Sequence, residues 1–219
     1  MHFASLFALG LMGQAEGVPN IPLVSTLEHA FRPYTACQNY TDTFDDLKPD
    51  PIIQKNRIGH YNGLDWEAWI YFGTGLDGTT VNGVIPESGD QIAATGPSSD
   101  LLQIGVVTLT PFGNIVASPA KSFDLYSFYF GCVFNPQENF FSVATGCTIT
   151  ITGFDTKGVQ LPPITVAYTP SNPLRSPMDL VTLPDSYRNI KNITIGLPVS
   201  LPTPLFTALL VDDVKHCNH

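Results

Sequence analysis

The stretch that decides the fold is Ser122-Phe123-Asp124-Leu125-Tyr126-Ser127-Phe128-Tyr129-Phe130-Gly131-Cys132-Val133-Phe134. Tyr126, Phe128, Phe130, Cys132 and Phe134 fall on every second position, the repeat of a strand with one face turned to a core. A second stretch, Cys147-Thr148-Ile149-Thr150-Ile151-Thr152-Gly153-Phe154, alternates in the same way. Cys147, Ile149 and Ile151 share the inward face and the three threonines point outward. Both stretches are β-branched and aromatic, as strands favour.

Working outward, further short apolar runs are bounded by Gly, Pro and Asn. Trp66–Phe72, Leu101–Thr110, Val159–Thr169, Tyr187–Ile195 and Leu205–Val214 read as strands. No long segment carries a helical stripe, so helix content is expected to be small. Many short strands in one chain predict an all-β fold, an antiparallel, jelly-roll-like β-sandwich of two packed sheets. The expected organisation is a signal peptide over residues 1–15, an N-terminal arm over 16–40, and a single sandwich domain over 41–219.

Composition narrows the function. Charged residues make up 13% of the 219 residues, against about 25% in an average soluble protein. Lys and Arg number 10 against 19 Asp and Glu, a net charge of −9. A phosphate-gripping protein needs a basic face, so nucleic acid is excluded as a partner. The apolar run Phe3–Met12 followed by Gly13-Gln14-Ala15 reads as a secretory signal, and it is too short to span a bilayer. No other segment reaches spanning length. The destination is the secretory pathway.

The four cysteines agree with that compartment, because none forms a CxxC pair and an even number in a secreted chain implies disulfides. Four cysteines allow three pairings. Cys132 and Cys147 flank a candidate hairpin, while Cys37 and Cys217 lie near the chain ends. The expected bridges are therefore Cys132–Cys147 and Cys37–Cys217. Asn39-Tyr40-Thr41 and Asn192-Ile193-Thr194 are glycosylation sequons.

Catalytic signatures are sparse. There is no Gly-x-Ser-x-Gly elbow, and bonded cysteines are no nucleophiles. Five scattered histidines do not make a three-histidine metal centre. Asp45-Asp46 and Asp212-Asp213 would be brought together by a Cys37–Cys217 bridge. Calcium between them is one way to relieve their repulsion; solvated strand-end carboxylates, or partners of Arg and Lys, are the preferred reading. The metal status stays unknown at this level.

The richest stretch is Asn56–Trp69, which holds Arg57, His60, Tyr61 and both tryptophans. Aromatic walls with a few donors describe a small-molecule pocket. Trp66 and Trp69 have opposite parity, so one is expected in the core and the other is free to line a site. Plain core packing accounts for any one of these residues equally well.

Phe44-Asp45-Asp46-Leu47, Tyr61-Asn62-Gly63-Leu64-Asp65-Trp66 and Leu210-Val211-Asp212-Asp213-Val214 resemble a widespread group of secreted fungal β-sandwich proteins. The pattern spans most of the mature chain. The subset that this chain looks like comprises hetero-Diels–Alderases of tropolone-sesquiterpenoid biosynthesis. They join a tropolone ortho-quinone methide to a humulene-type alkene and close a dihydropyran ring. The resemblance implies a pericyclase that needs no cofactor and takes small apolar substrates. In such a chain Tyr61, Trp66 or Trp69, Tyr126 and Phe128 would form the wall. Arg57, His60 or Lys121 would donate to the quinone-methide oxygen, and His60 would also serve dehydration of the precursor. An apolar pocket between protomers is a further arrangement, so an oligomer is compatible. The alternative function is a secreted carbohydrate-binding, lectin-like module, which requires an exposed aromatic platform with polar neighbours.

Overall fold

An Asn-Gly turn starts the observed architecture. Asn62 and Gly63 both adopt positive φ, 47° and 76°, as a type I′ hairpin turn demands. It joins β2 (Lys55–Tyr61) to β3 (Leu64–Gly73), with Tyr61 opposite Leu64 and Asn56 opposite Tyr71. The computed structural model describes residues 37–48, 55–73, 83–96, 112–134, 142–198 and 207–219. The predicted signal, most of the arm and the strand expected over Leu101–Thr110 lie outside these residues. Gln38–Tyr40, the end of the expected arm, forms the start of β1 (Gln38–Asp42).

The remaining strands are β4 (Val84–Ile85), β5 (Gln91–Thr95), β6 (Phe112–Ala117), β7 (Phe123–Phe134), β8 (Val143–Ala144), β9 (Cys147–Asp155) and β10 (Ile164–Tyr168). They continue with β11 (Ser176–Pro177), β12 (Asp179–Thr182), β13 (Ile190–Gly196) and β14 (Thr207–Asn218). Helix among the described residues is one short turn at Asp185–Tyr187. The protein is all-β, with two disulfides, Cys37–Cys217 and Cys132–Cys147, as expected.

The main sheet runs β10-β9-β13-β6-β3-β5-β14-β7-β12. A pairing of Ile190 on β13 with Phe123 on β7 closes it into a ring of six antiparallel strands, β13-β6-β3-β5-β14-β7. Two separate stacked sheets were expected; here their strands share partners. Strand β3 shows how. Its hairpin partner β2 occupies one edge along its length. Its other edge pairs first with β6, at Leu64–Glu67, and then with β5, at Ile70–Gly73. The handover falls at Ala68, whose φ is 60°. A left-handed residue inside a strand bends it, and a strand that changes neighbours joins two sheets.

Bulges also correct two expectations of face. On β7, register with β14 shifts between Asp212/Lys215 and Lys215/His216. Phe128, Phe130 and Cys132 point inward as predicted, but beyond the shift Phe123 and Leu125 take the inward places. Tyr126 is therefore turned out of the core, where Arg188 lies 4.4 Å over its ring. One extra residue reverses the faces of everything beyond it. Phe134, at the strand's end, is 41% exposed. On β3, the irregularity at Ala68 brings Trp66 and Trp69, expected on opposite faces, into the same core. They are 2% and 1% exposed, with ring centroids 5.6 Å apart.

Candidate functional site

The three motifs that carry the resemblance are far apart in the chain and meet in space. Phe44, left-handed at φ 63°, packs between Tyr61 and Trp66, at 5.6 Å and 5.2 Å between ring centroids. Tyr61 donates its hydroxyl to Asp46. Burial, then the hydrogen bond and charge of Asp46, hold that phenol well above its ordinary range.

Asp45 accepts from the backbone N–H groups of Asp90 and Gln91, at 2.9 and 3.1 Å. Its carboxylate rests on Gly89, where a Cβ would lie 2.1 Å from the carboxylate oxygens. The same loop reaches the third motif, since Ser88 donates its N–H to Asp212 and its hydroxyl to Asp213. Asp212 is fully buried. Burial raises its pKa to about 7 against the backbone N–H donors of Ser88 and Asp213, and the charges of Asp213 and Asp45 raise it further. The two acidic pairs are neighbours, as the terminal disulfide requires.

Beside this clasp lies a closed polar ring. Asn62 donates to Asp42 at 2.6 Å, and Asp42 meets His216 Nε2 at 3.0 Å. His216 Nδ1 lies 2.9 Å from Asn218 Oδ1, and Asn218 Nδ2 donates back to the Asn62 carbonyl at 2.8 Å. Tyr40 stacks on the histidine, 5.2 Å between centroids. Both ring nitrogens thus lie within hydrogen-bond distance of a side-chain oxygen. The ring ties β1, the hairpin turn and β14 together.

The sequence-predicted site residues separate into two groups. Tyr61, Trp66, Trp69 and Phe128 belong to the core. The indole N–H groups of both tryptophans are buried without an acceptor. Arg57, His60 and Lys121 are exposed. Ser118 donates its N–H to the Gly63 carbonyl, which seats the loop leading to Lys121 beside the hairpin turn. Lys121 itself donates its backbone N–H to the carbonyl of His219.

His60 has the most chemically organised surroundings of the three. Its Nδ1 is 2.8 Å from Asp65 Oδ1, across a direct β2–β3 pair. The hydrogen bond from His60, then one from Ser118, lowers the Asp65 pKa. The pair begins a transverse row over five strands: His60 on β2, Asp65 on β3, Val116 on β6, Asn192 on β13 and Phe154 on β9. Directly paired residues share a face, so this row lies on the outside, with Ile115 and Ile193 buried beneath it. A parallel row holds Glu67, Asn114, Thr194 and Thr152.

Val116 and Phe154 carry no sequence signal of their own, and Asp65 stands there only within the Tyr61–Trp66 motif. The strand β6 is masked there by Gly113 and Asn114, and without it the row cannot be drawn. Among the described residues, one trio of potential metal-ligand atoms gathers, at Cys37, Asp124 and His219. Cys37 is bonded to Cys217, so its sulfur is no thiolate.

No protein-family model matches the chain, and no curated protein matches it. Among solved structures it is similar to a DUF4465 family protein from Bacteroides caccae, at 10% identity and TM-score 0.44, covering 84% of this chain and 88% of that one. No helix among the described residues is long and apolar enough to cross a membrane.

Proposed function

We propose that this protein is a secreted hetero-Diels–Alderase that adds a tropolone ortho-quinone methide to a humulene-type alkene. The observation that carries the reading is the His60–Asp65 pair, 2.8 Å apart on an open sheet face. A carboxylate on Nδ1 orients the imidazole and leaves Nε2 to meet a substrate oxygen. The packing of the three resemblance motifs into one clasp supports the family reading. The same reading takes the closed ring as a jelly-roll-like sandwich, with its first strand β1 beside its last, β14.

The chemistry suits such a site. Dehydration of a benzylic-type alcohol expels water with a proton from Nε2–H, and the hydroxyl proton of the tropolone returns to base. Cycloaddition then forms one C–C and one C–O bond, conserves every atom and requires no external electrons. A donor held to the quinone-methide oxygen stabilises the charge growing there, for about 3 kcal/mol. Fixing the two partners in one orientation contributes up to roughly 7–11 kcal/mol. Arg57, on the same strand, is the second donor.

A sugar-binding module would stack rings on an exposed aromatic platform, and neither tryptophan supplies one, since both are interior. The test is incubation of purified protein with a quinone-methide precursor and a humulene-type alcohol. His60→Ala and Asp65→Asn are compared with wild type for rate and enantiomeric excess. Loss of both in His60→Ala with an unchanged Tm supports the assignment. Unchanged rate and product ratio in His60→Ala and Arg57→Ala overturn it.

A further inference from the structure

We propose that Asn192 carries an N-linked glycan and that this glycan is the occupant of the outer face of β6, β13, β9 and β10. Asn192 sits mid-strand on β13, between Val116 on β6 and Phe154 on β9. Its neighbour Ile193 is fully buried, so Asn192 points outward. Its carboxamide Oδ1 is buried without a donor. Asn192 as a whole is half-buried, between the outward Val116 and Phe154. Thr194, the hydroxyl position of the sequon, lies two residues along the same face.

The floor around Asn192 suits sugar. Asn114, Thr194 and Thr152 form one row in register, and Thr150 and Thr165 pair in the next. Hydroxyl and carboxamide groups both donate and accept, as sugar hydroxyls do. Phe154, Val116 and Phe112 supply apolar ground for the faces of the rings. His60 stands three strands from Asn192, roughly 14 Å at the usual strand spacing, so the glycan borders the His60–Asp65 pair without covering it.

The covalent step balances. Nδ2 loses one hydrogen as a proton and bonds to the anomeric carbon of a polyprenyl-diphosphate-linked oligosaccharide. The anomeric C–O bond breaks, and the lipid diphosphate leaves with the electron pair. No oxidant is involved.

The experiment uses full-length protein secreted from a glycosylating eukaryotic host. Peptide mapping with enzymatic deglycosylation in heavy-oxygen water marks each modified asparagine. Asn192 is expected to be marked, and Thr194→Ala, which keeps Asn192 but removes the acceptor motif, is expected to lose the mass of one glycan. An unmodified Asn192 in secreted protein overturns the proposal, whether or not Asn39 is modified. Hydroxyl-radical footprinting then tests the face. Oxidation of Phe112 and Phe154 should rise at least twofold after deglycosylation; no rise overturns the assignment of the glycan to that face.

Discussion

Asp42 and His216 lie 174 positions apart in the chain and meet at 3.0 Å, with neither side chain exposed. Asn62 and Asn218 satisfy their remaining polar atoms. Removing one partner of a buried hydrogen-bonded pair leaves the other unsatisfied, at a cost of about 1–3 kcal/mol or more. Asp42→Ala should therefore lower the urea midpoint strongly. The loss should be near that of His216→Ala, and the double variant should lose far less than the sum.

Asp212 sets a pH dependence. Its folded pKa is about 7 against an ordinary 3.8, so the folded state holds the proton more tightly than the unfolded chain. The stabilisation is whole below about pH 3.8 and is lost as pH rises through about 7. The full span is on the order of 4 kcal/mol. Thermal melts from pH 4 to pH 8 should show a declining Tm for wild type, and Asp212→Asn should flatten that decline.

The two disulfides should contribute unequally. Cys37–Cys217 spans 180 residues and Cys132–Cys147 spans 15. Chain-entropy reasoning gives about 5 kcal/mol for the longer loop and about 3 for the shorter. Paired Cys→Ser variants, compared by denaturant unfolding, should rank in that order.

Gly113 has no room for a methyl group. A Cβ there would sit 2.2 Å from Trp69 Nε1, and Trp69 is locked against Trp66. Gly113→Ala should be among the most damaging single substitutions in the barrel. The tryptophan fluorescence spectrum should shift with the loss of Tm.

These sites mark what the sequence disclosed. Alternation alone located the inward faces of Ile149, Ile151, Phe128 and Phe130, because a period of two survives wherever a strand stays regular. It failed at Tyr126 and at Trp69, where a bulge and the left-handed Ala68 each reversed the phase. Such breaks depend on neighbouring strands, which local sequence does not specify. Strands β5 and β6 escaped notice because Gln91-Ile92-Ala93-Ala94-Thr95 is small and Gly113-Asn114 reads as a turn. The terminal disulfide foretold that Asp45 and Asp212 are neighbours. The His60–Asp65 pair follows from the type I′ turn, since Asn62-Gly63 places residues 60 and 65 opposite each other. The resemblance implies a role for His60 but names no partner for it; Asp65 becomes that partner only through the register of the turn.

The central claim is that an oriented histidine on an outer sheet face steers a cycloaddition. Its most direct measurement is the enantiomeric excess of the dihydropyran formed from a tropolone quinone-methide precursor and a humulene-type alcohol. Wild-type protein should give one enantiomer in excess at a rate above the protein-free background, and His60→Ala should reduce that rate by roughly 10²–10⁴-fold. A racemic product at the background rate with the wild-type protein would contradict the account.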